Sequence, residues 1–198
     1  VLGNHDFDVV DSLKPKVLEK LNLEKRYYSI DKNNWKFLFL DGSDLSFYGT
    51  FDSLKKVEAL NYFNKIKSDS LPYAQVYNGG ISNEQMQWIK QELEFAKNNN
   101  QYVGFYCHFP LSPINNGNLW NTEEFIKLIE QNKHVKFYMN GHKHKGDYIF
   151  KNGVHYLTLK GMVYTSDSTS FATAHFYKDS ILIKGYGREI DRTLKITP

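Results

Sequence analysis

The sequence predicts an α/β fold, a four-layer sandwich in which two mixed sheets face each other with helices outside. Three observations lead there. The run Phe37-Leu38-Phe39-Leu40 is apolar at every position, as suits a central strand covered on both faces. Residues 82–97 carry one apolar stripe, Met86, Ile89, Leu93 and Ala96, at helical spacing. From Asp147 onward the pattern turns to strands alone, so a mixed start gives way to an all-strand end. No repeat, low-complexity tract or linker interrupts the 198 residues, which predicts a single domain over 1–198.

Taken in order, residues 27–31 and 35–41 predict a hairpin around Lys32-Asn33-Asn34. A helix is expected over 54–66, and a stronger one over 82–97, where Ser82 and Gln85 stand at capping-box spacing. A strand over 102–107 comes next. It is followed by a helix over 121–130, started by Asn121 or Thr122, and a strand over 135–139 that stops at Asn140-Gly141. The end of the chain reads as strands over 148–150, 154–159, 171–177 and 181–186.

Composition narrows the function. A hydrophobic fraction of 41% with 16% aromatics gives a chain that can bury a core. The net charge of +3 suits anionic small molecules, but the basic residues do not cluster, which argues against nucleic acid as a partner. Lys55, Lys56, Lys65 and Lys67 read as a solvated helix face. No apolar run approaches the roughly 20 residues of a membrane span, so no membrane partner is expected. Cys107 is the single cysteine, which excludes an intrachain disulfide and a thiolate-built zinc site. A lone strand cysteine reads as a small buried hydrophobe.

Three short stretches carry the chemistry: Gly3-Asn4-His5-Asp6, His108-Phe109-Pro110 and Gly141-His142-Lys143-His144. The second and third directly follow predicted strands, where α/β folds place their sites. Imidazoles and a neutral amide oxygen suit borderline divalent metals such as Mn, Fe or Zn. Gly3 and Gly141 would let the backbone turn sharply so that neighbouring side chains converge. Asn78, Tyr148 and Phe109 are candidates to line a nucleotide pocket, since bases stack on aromatic rings. Arg188 and Arg192 could clamp a phosphate bidentately, or serve strand pairing at the surface instead. Asp6 could cap the turn after it. His134, His155 and His175 read as structural, as do Trp88 and Trp120.

Together the three stretches resemble the calcineurin-like metallophosphoesterase superfamily. Its ordered signature is Asp-x-His, Gly-Asp-x-x-Asp, Gly-Asn-His-(Asp/Glu), His and Gly-His-x-His. This chain carries the last three motifs and neither of the first two. The missing two are expected upstream of Val1, on two or three strand–helix units of about 30 residues each, roughly 60 to 100 residues in all. The resemblance implies that Asn4, His108 and His142 are ligands of one metal and His144 of another. It gives His5 the role of stabilising the transition state or protonating the leaving group, with Asp6 orienting His5. It implies two divalent cations, manganese foremost, with one site incomplete in this chain.

A closer resemblance, to the manganese-dependent ADP-ribose/CDP-alcohol diphosphatases, covers nearly the whole chain. It runs through Asn78-Gly79-Gly80-Ile81 with Gln85 and Trp88, Trp120-Asn121, Glu123-Glu124, Gly146 with Tyr148, Gly153-Val154-His155, and Gly185, Gly187-Arg188 and Asp191-Arg192. Tyr77 stands where a tryptophan is common in that family, and residues 45–75 match poorly. The resemblance implies a hydrolase that cleaves the phosphoanhydride bond of nucleoside diphosphate-linked compounds such as ADP-ribose or CDP-choline. A cyclic-nucleotide phosphodiesterase or phosphomonoesterase is the alternative within the superfamily. A truncated non-catalytic module that binds nucleotide or a partner is the alternative from another class. With its strand neighbours gone, an open apolar sheet edge would favour pairing with a second copy.

Overall fold

The computed structural model describes residues 1–196. A 3₁₀ turn over Asn4–Phe7 opens the chain. A second 3₁₀ segment, Asp11–Lys16, leads into the short helix α1 (Val17–Lys20). Strands β1 (Tyr28–Lys32) and β2 (Trp35–Phe39) form the expected hairpin. Helices α2 (Ser53–Ser68) and α3 (Asn83–Asn98) precede β3 (Tyr102–Tyr106), and α4 (Thr122–Gln131) precedes β4 (Val135–Asn140). The chain ends in β5 (Asp147–Lys151), β6 (Val154–Thr158), β7 (Ser170–Phe176), β8 (Ser180–Gly187) and β9 (Arg192–Lys195).

The first sheet is six-stranded and mixed, in the order β1-β2-β3-β4-β6-β5. Its centre, β2 through β6, is parallel, and the β1 and β5 edges are antiparallel. Both faces of that centre are covered. Leu38 and Leu40 join Ile89, Leu93, Phe105 and Phe125 in the core under α3 and α4. Trp35 and Phe137 pack the other way, with Ile181, Ile183 and Leu194 of the second sheet. All six residues of β4 are buried, as a parallel strand between two layers demands.

The second sheet departs from expectation. It has three strands, β7-β8-β9, and all its pairings are antiparallel. Its far face carries exposed Phe171 and Tyr186, so among the described residues it is the outer layer. Strand β9 has no signature in the sequence, because Arg192-Thr193-Leu194-Lys195 offers one apolar residue to a periodicity argument. Among the described residues no helix is long and apolar enough to cross a membrane.

Two helix starts also differ from the sequence reading. Ser82 caps α3 as expected, its Oγ accepting from the Gln85 N–H at 3.2 Å. The Gln85 side chain does not return to the cap. It pairs with the Asp41 main chain, accepting from its N–H and donating to its carbonyl, both at 3.0 Å. Neither Asn121 nor Thr122 caps α4. The Asn121 amide bonds both ways to the Ile81 main chain, and the Thr122 hydroxyl donates to the Leu111 carbonyl.

Candidate metal centre

Parallel strands deliver their following loops to the same end of a sheet. β3 and β4 are parallel neighbours in register at Tyr106 and Met139. His108 and His142 therefore leave the sheet side by side, and the Gly141 N–H donates to the His108 carbonyl at 3.0 Å. His142 takes the left-handed conformation, φ 64°, uncommon for a residue with a side chain and a feature of functional turns. The sharp turn falls on His142 and not, as the sequence suggested, on Gly141, whose added Cβ would meet only an ordinary contact 4.0 Å from His108.

Asn4 arrives on the opening 3₁₀ turn, held by the packing of Leu2, Phe7 and Val17. Gly3 is needed for close approach and not for its backbone angle, which is extended. A Cβ there would stand 2.8 Å from His108 Nδ1.

The result is a tight trio. His108 Nε2 lies 3.0 Å from Asn4 Oδ1 and 3.0 Å from His142 Nδ1. One ring hydrogen serves one neighbour, and an amide oxygen has none to give. Lone pairs thus outnumber protons where the three atoms meet, a condition a cation relieves. Burial, with smaller contributions from neighbouring histidines, lowers His108 to about 4. Burial, followed by the charge of His108, lowers His142 to about 3. Both imidazoles are neutral near pH 7, the form that ligates a metal. An N,N,O donor set fits a borderline divalent ion. Among the described residues no group of three His, Cys, Asp or Glu gathers as a cation site, and the trio includes an asparagine.

The cleft above the trio measures about 330 Å³ and is lined by His5, Asp8, Tyr48, Tyr77, Lys143 and His144, besides the trio itself. His144 shares this cleft but makes none of the trio's hydrogen bonds. Its ring packs 5.6 Å from Tyr164. His5 is exposed at the rim. Asp6 does not orient it. The Asp6 carboxylate accepts the Gly3 N–H at 2.7 Å, closing the turn it belongs to and not the one after it, and the acid beside His5 is Asp8, at 3.8 Å.

The structure moves the nucleotide-pocket candidates elsewhere. Phe109 is fully buried and packs its ring against His108 and His142, at 5.0 and 4.7 Å, so it is a floor under the trio with no free face for a base. Asn78 is fully buried behind His142, with Oδ1 3.1 Å from His142 Nε2. Tyr148 lies outside the cleft, its hydroxyl 2.9 Å from His155 Nδ1, while His155 Nε2 meets the Lys195 carbonyl. Arg188 donates from Nε and Nη2 to the carbonyls of Ser168, Gly161 and Met162, which fixes the loop after β6. Arg192 pairs with Glu189 at 2.6 Å. Neither arginine lines the cleft above the trio. Tyr48, Tyr77 and Lys143 line the cleft instead. Lys143 was legible from its position between the two histidines of the third motif, whereas Tyr48 lies in a stretch with no motif.

The calcineurin-like phosphoesterase family model matches residues 1–146. The chain belongs to the calcineurin-like phosphoesterase family. Among relatives, the manganese-dependent ADP-ribose/CDP-alcohol diphosphatase of Mus musculus is 31% identical over 183 residues, covering 85% of this chain and 54% of the relative. The protein of that name from Arabidopsis thaliana is 31% identical over 181 residues, covering 82% and 58%. The chain thus spans about half the length of the curated relatives it matches. A solved structure of a dimetal phosphatase from Danio rerio superposes with a TM-score of 0.88 at 26% identity, covering all of this chain and 71% of that one. The mixed α/β fold with an antiparallel second sheet is the fold of that phosphatase.

Proposed function

We propose that this chain carries the site of a metal-dependent phosphohydrolase acting on nucleoside diphosphate-linked compounds, ADP-ribose and CDP-alcohols foremost. The observation that carries the reading is the meeting of Asn4, His108 and His142 at hydrogen-bond distance on the floor of an open cleft. The relatives' names support the substrate class. Asn4, His108 and His142 would hold one divalent cation, manganese by the same names, with iron or zinc served by the same donors. His144, in the cleft but outside the trio, is the ligand left for a second. A bound cation supplies Lewis acidity and neutralises phosphate charge.

The chain's own groups supply the rest. Lys143 offers a positive charge to a diphosphate, and Tyr48 and Tyr77 offer ring faces to a base or sugar. His5, exposed at the rim, can hand a proton to the leaving oxygen. Pairing with a second copy through an open sheet edge belongs to the same proposal.

The test is a substrate panel of ADP-ribose, CDP-choline, cAMP and p-nitrophenyl phosphate with Mn²⁺. The expected result is Mn²⁺-dependent hydrolysis of the first two, lost in His108→Ala. Hydrolysis of cAMP alone would replace the diphosphatase reading with a cyclic-nucleotide one. A second reading, a module that binds nucleotide without turnover, draws on one observation: among the described residues no carboxylate joins the trio, and Asp6 turns one oxygen to the Gly3 N–H. For that reason we expect slow turnover from the chain by itself. Nucleotide binding with no hydrolysis at all would favour the second reading.

A further inference from the structure

The Asn78 side chain is held in one orientation by its own donors. Nδ2 donates to the Tyr73 carbonyl at 3.1 Å and to the Asn116 carbonyl at 2.8 Å. Both amide hydrogens are thereby used, on carbonyls from two separate loops. The backbone beside it is equally fixed. Gly79 lies so close to the loop after β2 that a Cβ would stand 2.3 Å from the Gly42 carbonyl oxygen, and the Trp120 N–H donates to the Gly79 carbonyl at 2.8 Å. The amide cannot flip without turning its NH₂ away from two acceptors, in a site closed to water, where an unmade hydrogen bond is costly.

That leaves Oδ1 facing His142 Nε2 at 3.1 Å. An amide oxygen only accepts, so Nε2 must carry the hydrogen, and a neutral imidazole has just one. The lone pair is then on Nδ1, the atom that meets His108 Nε2 at 3.0 Å. We propose that Asn78 is a positioning residue: it locks His142 as the Nε2–H tautomer and so keeps Nδ1 turned, unprotonated, toward the cation site. The inference rests on the metal-centre reading given above. It gives Asn78 no contact with cation or substrate, because its oxygen is spent on the imidazole. It also separates this role from that of a residue that merely ties two loops together, which would leave the tautomer of His142 unset.

The test is long-range ¹H–¹⁵N correlation NMR of the histidine rings in the metal-free chain, for wild type and Asn78→Ala. Wild type should show His142 as a single Nε2–H tautomer, and Asn78→Ala should show a mixture. Mn²⁺ binding, read by paramagnetic broadening of the His108 and His142 ring signals, should weaken in the variant by about 10-fold or more. A hydrogen on Nδ1 in the wild type overturns the proposal. So does a folded Asn78→Ala in which the Nε2–H tautomer is unchanged, whatever happens to Mn²⁺ affinity. Should the variant fail to fold, the wild-type spectrum decides alone. The metal-centre reading fails separately, if Mn²⁺ broadens neither ring in wild type while the tautomer stands as assigned.

Discussion

Gly3 shows how much of the site is decided by one missing atom. An alanine Cβ there would meet the ring of His108, 2.8 Å from Nδ1, and the ring is held by its floor on Phe109 and its contact with Asn4. The ring must give way, which pulls Nε2 out of the trio. We expect Gly3→Ala to lower Mn²⁺ affinity by more than 10-fold, measured by calorimetric titration, with the thermal midpoint reduced only slightly. A variant that binds as wild type would show that the close approach is dispensable. The buried imidazoles also set a pH dependence. His108 and His142 fall from the ordinary 6.5 to about 4 and about 3, so the unfolded chain binds protons that the folded chain refuses. Their contribution to stability is whole above pH 6.5 and is lost as pH falls through that window. Asp41 runs the other way. Burial raises it to about 6, so its contribution is present at low pH and lost as pH rises through that value. Two imidazoles outweigh one carboxylate, and metal-free protein should lose stability between about pH 6.5 and 4. His142→Gln should flatten that slope in thermal melts; an equally steep slope in the variant would remove His142 from the account. The motif residues were legible because imidazoles and an amide oxygen set at strand ends suit a divalent cation far better than they suit a core or a solvated surface. Phe109, Tyr148, Arg188 and Arg192 meet partners that the sequence did not reveal, for a physical reason. Residue type names the interactions a side chain can make, but the neighbour that captures it is fixed by tertiary packing.

At the scale of elements, a buried ionic lattice ties α3 to the loop after β2. Arg26 grips the Asp41 carboxylate and the carbonyls of Gly49 and Ser43. Ser82 donates to Asp44, which also pairs with Lys55 at 2.8 Å. Gln85 bridges Asp41 and Asp44. The lattice reaches the site through two hydrogen bonds between Leu45 and Gly80, two residues beyond Asn78. The Asp41 side chain is fully buried, so removing its partner strands a charge away from water. We expect Arg26→Ala to cost about 3–5 kcal/mol in urea unfolding. Ser82→Ala, which removes a cap and one hydrogen bond, should cost about 1–2 kcal/mol. If Arg26→Ala costs no more than Ser82→Ala, the lattice is ornamental. The sequence revealed only part of this. The stripe of α3 and the Ser82 cap could be read locally, since both depend on residues within one helix. The turn of Gln85 toward Asp41 could not, because its partner is 44 positions away in the chain.

At the scale of the molecule, the sandwich is unequal. Among the described residues six strands face three, and β7 has β8 as its one partner. The two-sheet plan followed from the switch to strands after Asp147, but strand direction in the second sheet did not, because alternation along a strand does not report which neighbour it pairs with. The inequality leaves a groove of about 610 Å³ beside β7, walled by Trp35, Phe37, Phe39, Tyr106 and Phe176. Phe39 and Tyr106 stack along its floor at 5.0 Å, continuing to Tyr28 at 4.8 Å. Unpaired backbone groups on β7 next to a ribbon of aromatic rings form a template for another strand. A second copy brings the same edge, so two chains can satisfy each other about a twofold axis. We expect the chain to associate at tens of micromolar, read by sedimentation velocity. Ala174 lines the groove from β7 and is exposed. Ala174→Lys places a charge where the added strand would lie, and should shift the population to monomer without lowering the thermal midpoint. Wild-type chain that sediments as monomer across that range would mean that the groove, aromatic as it is, recruits no second copy.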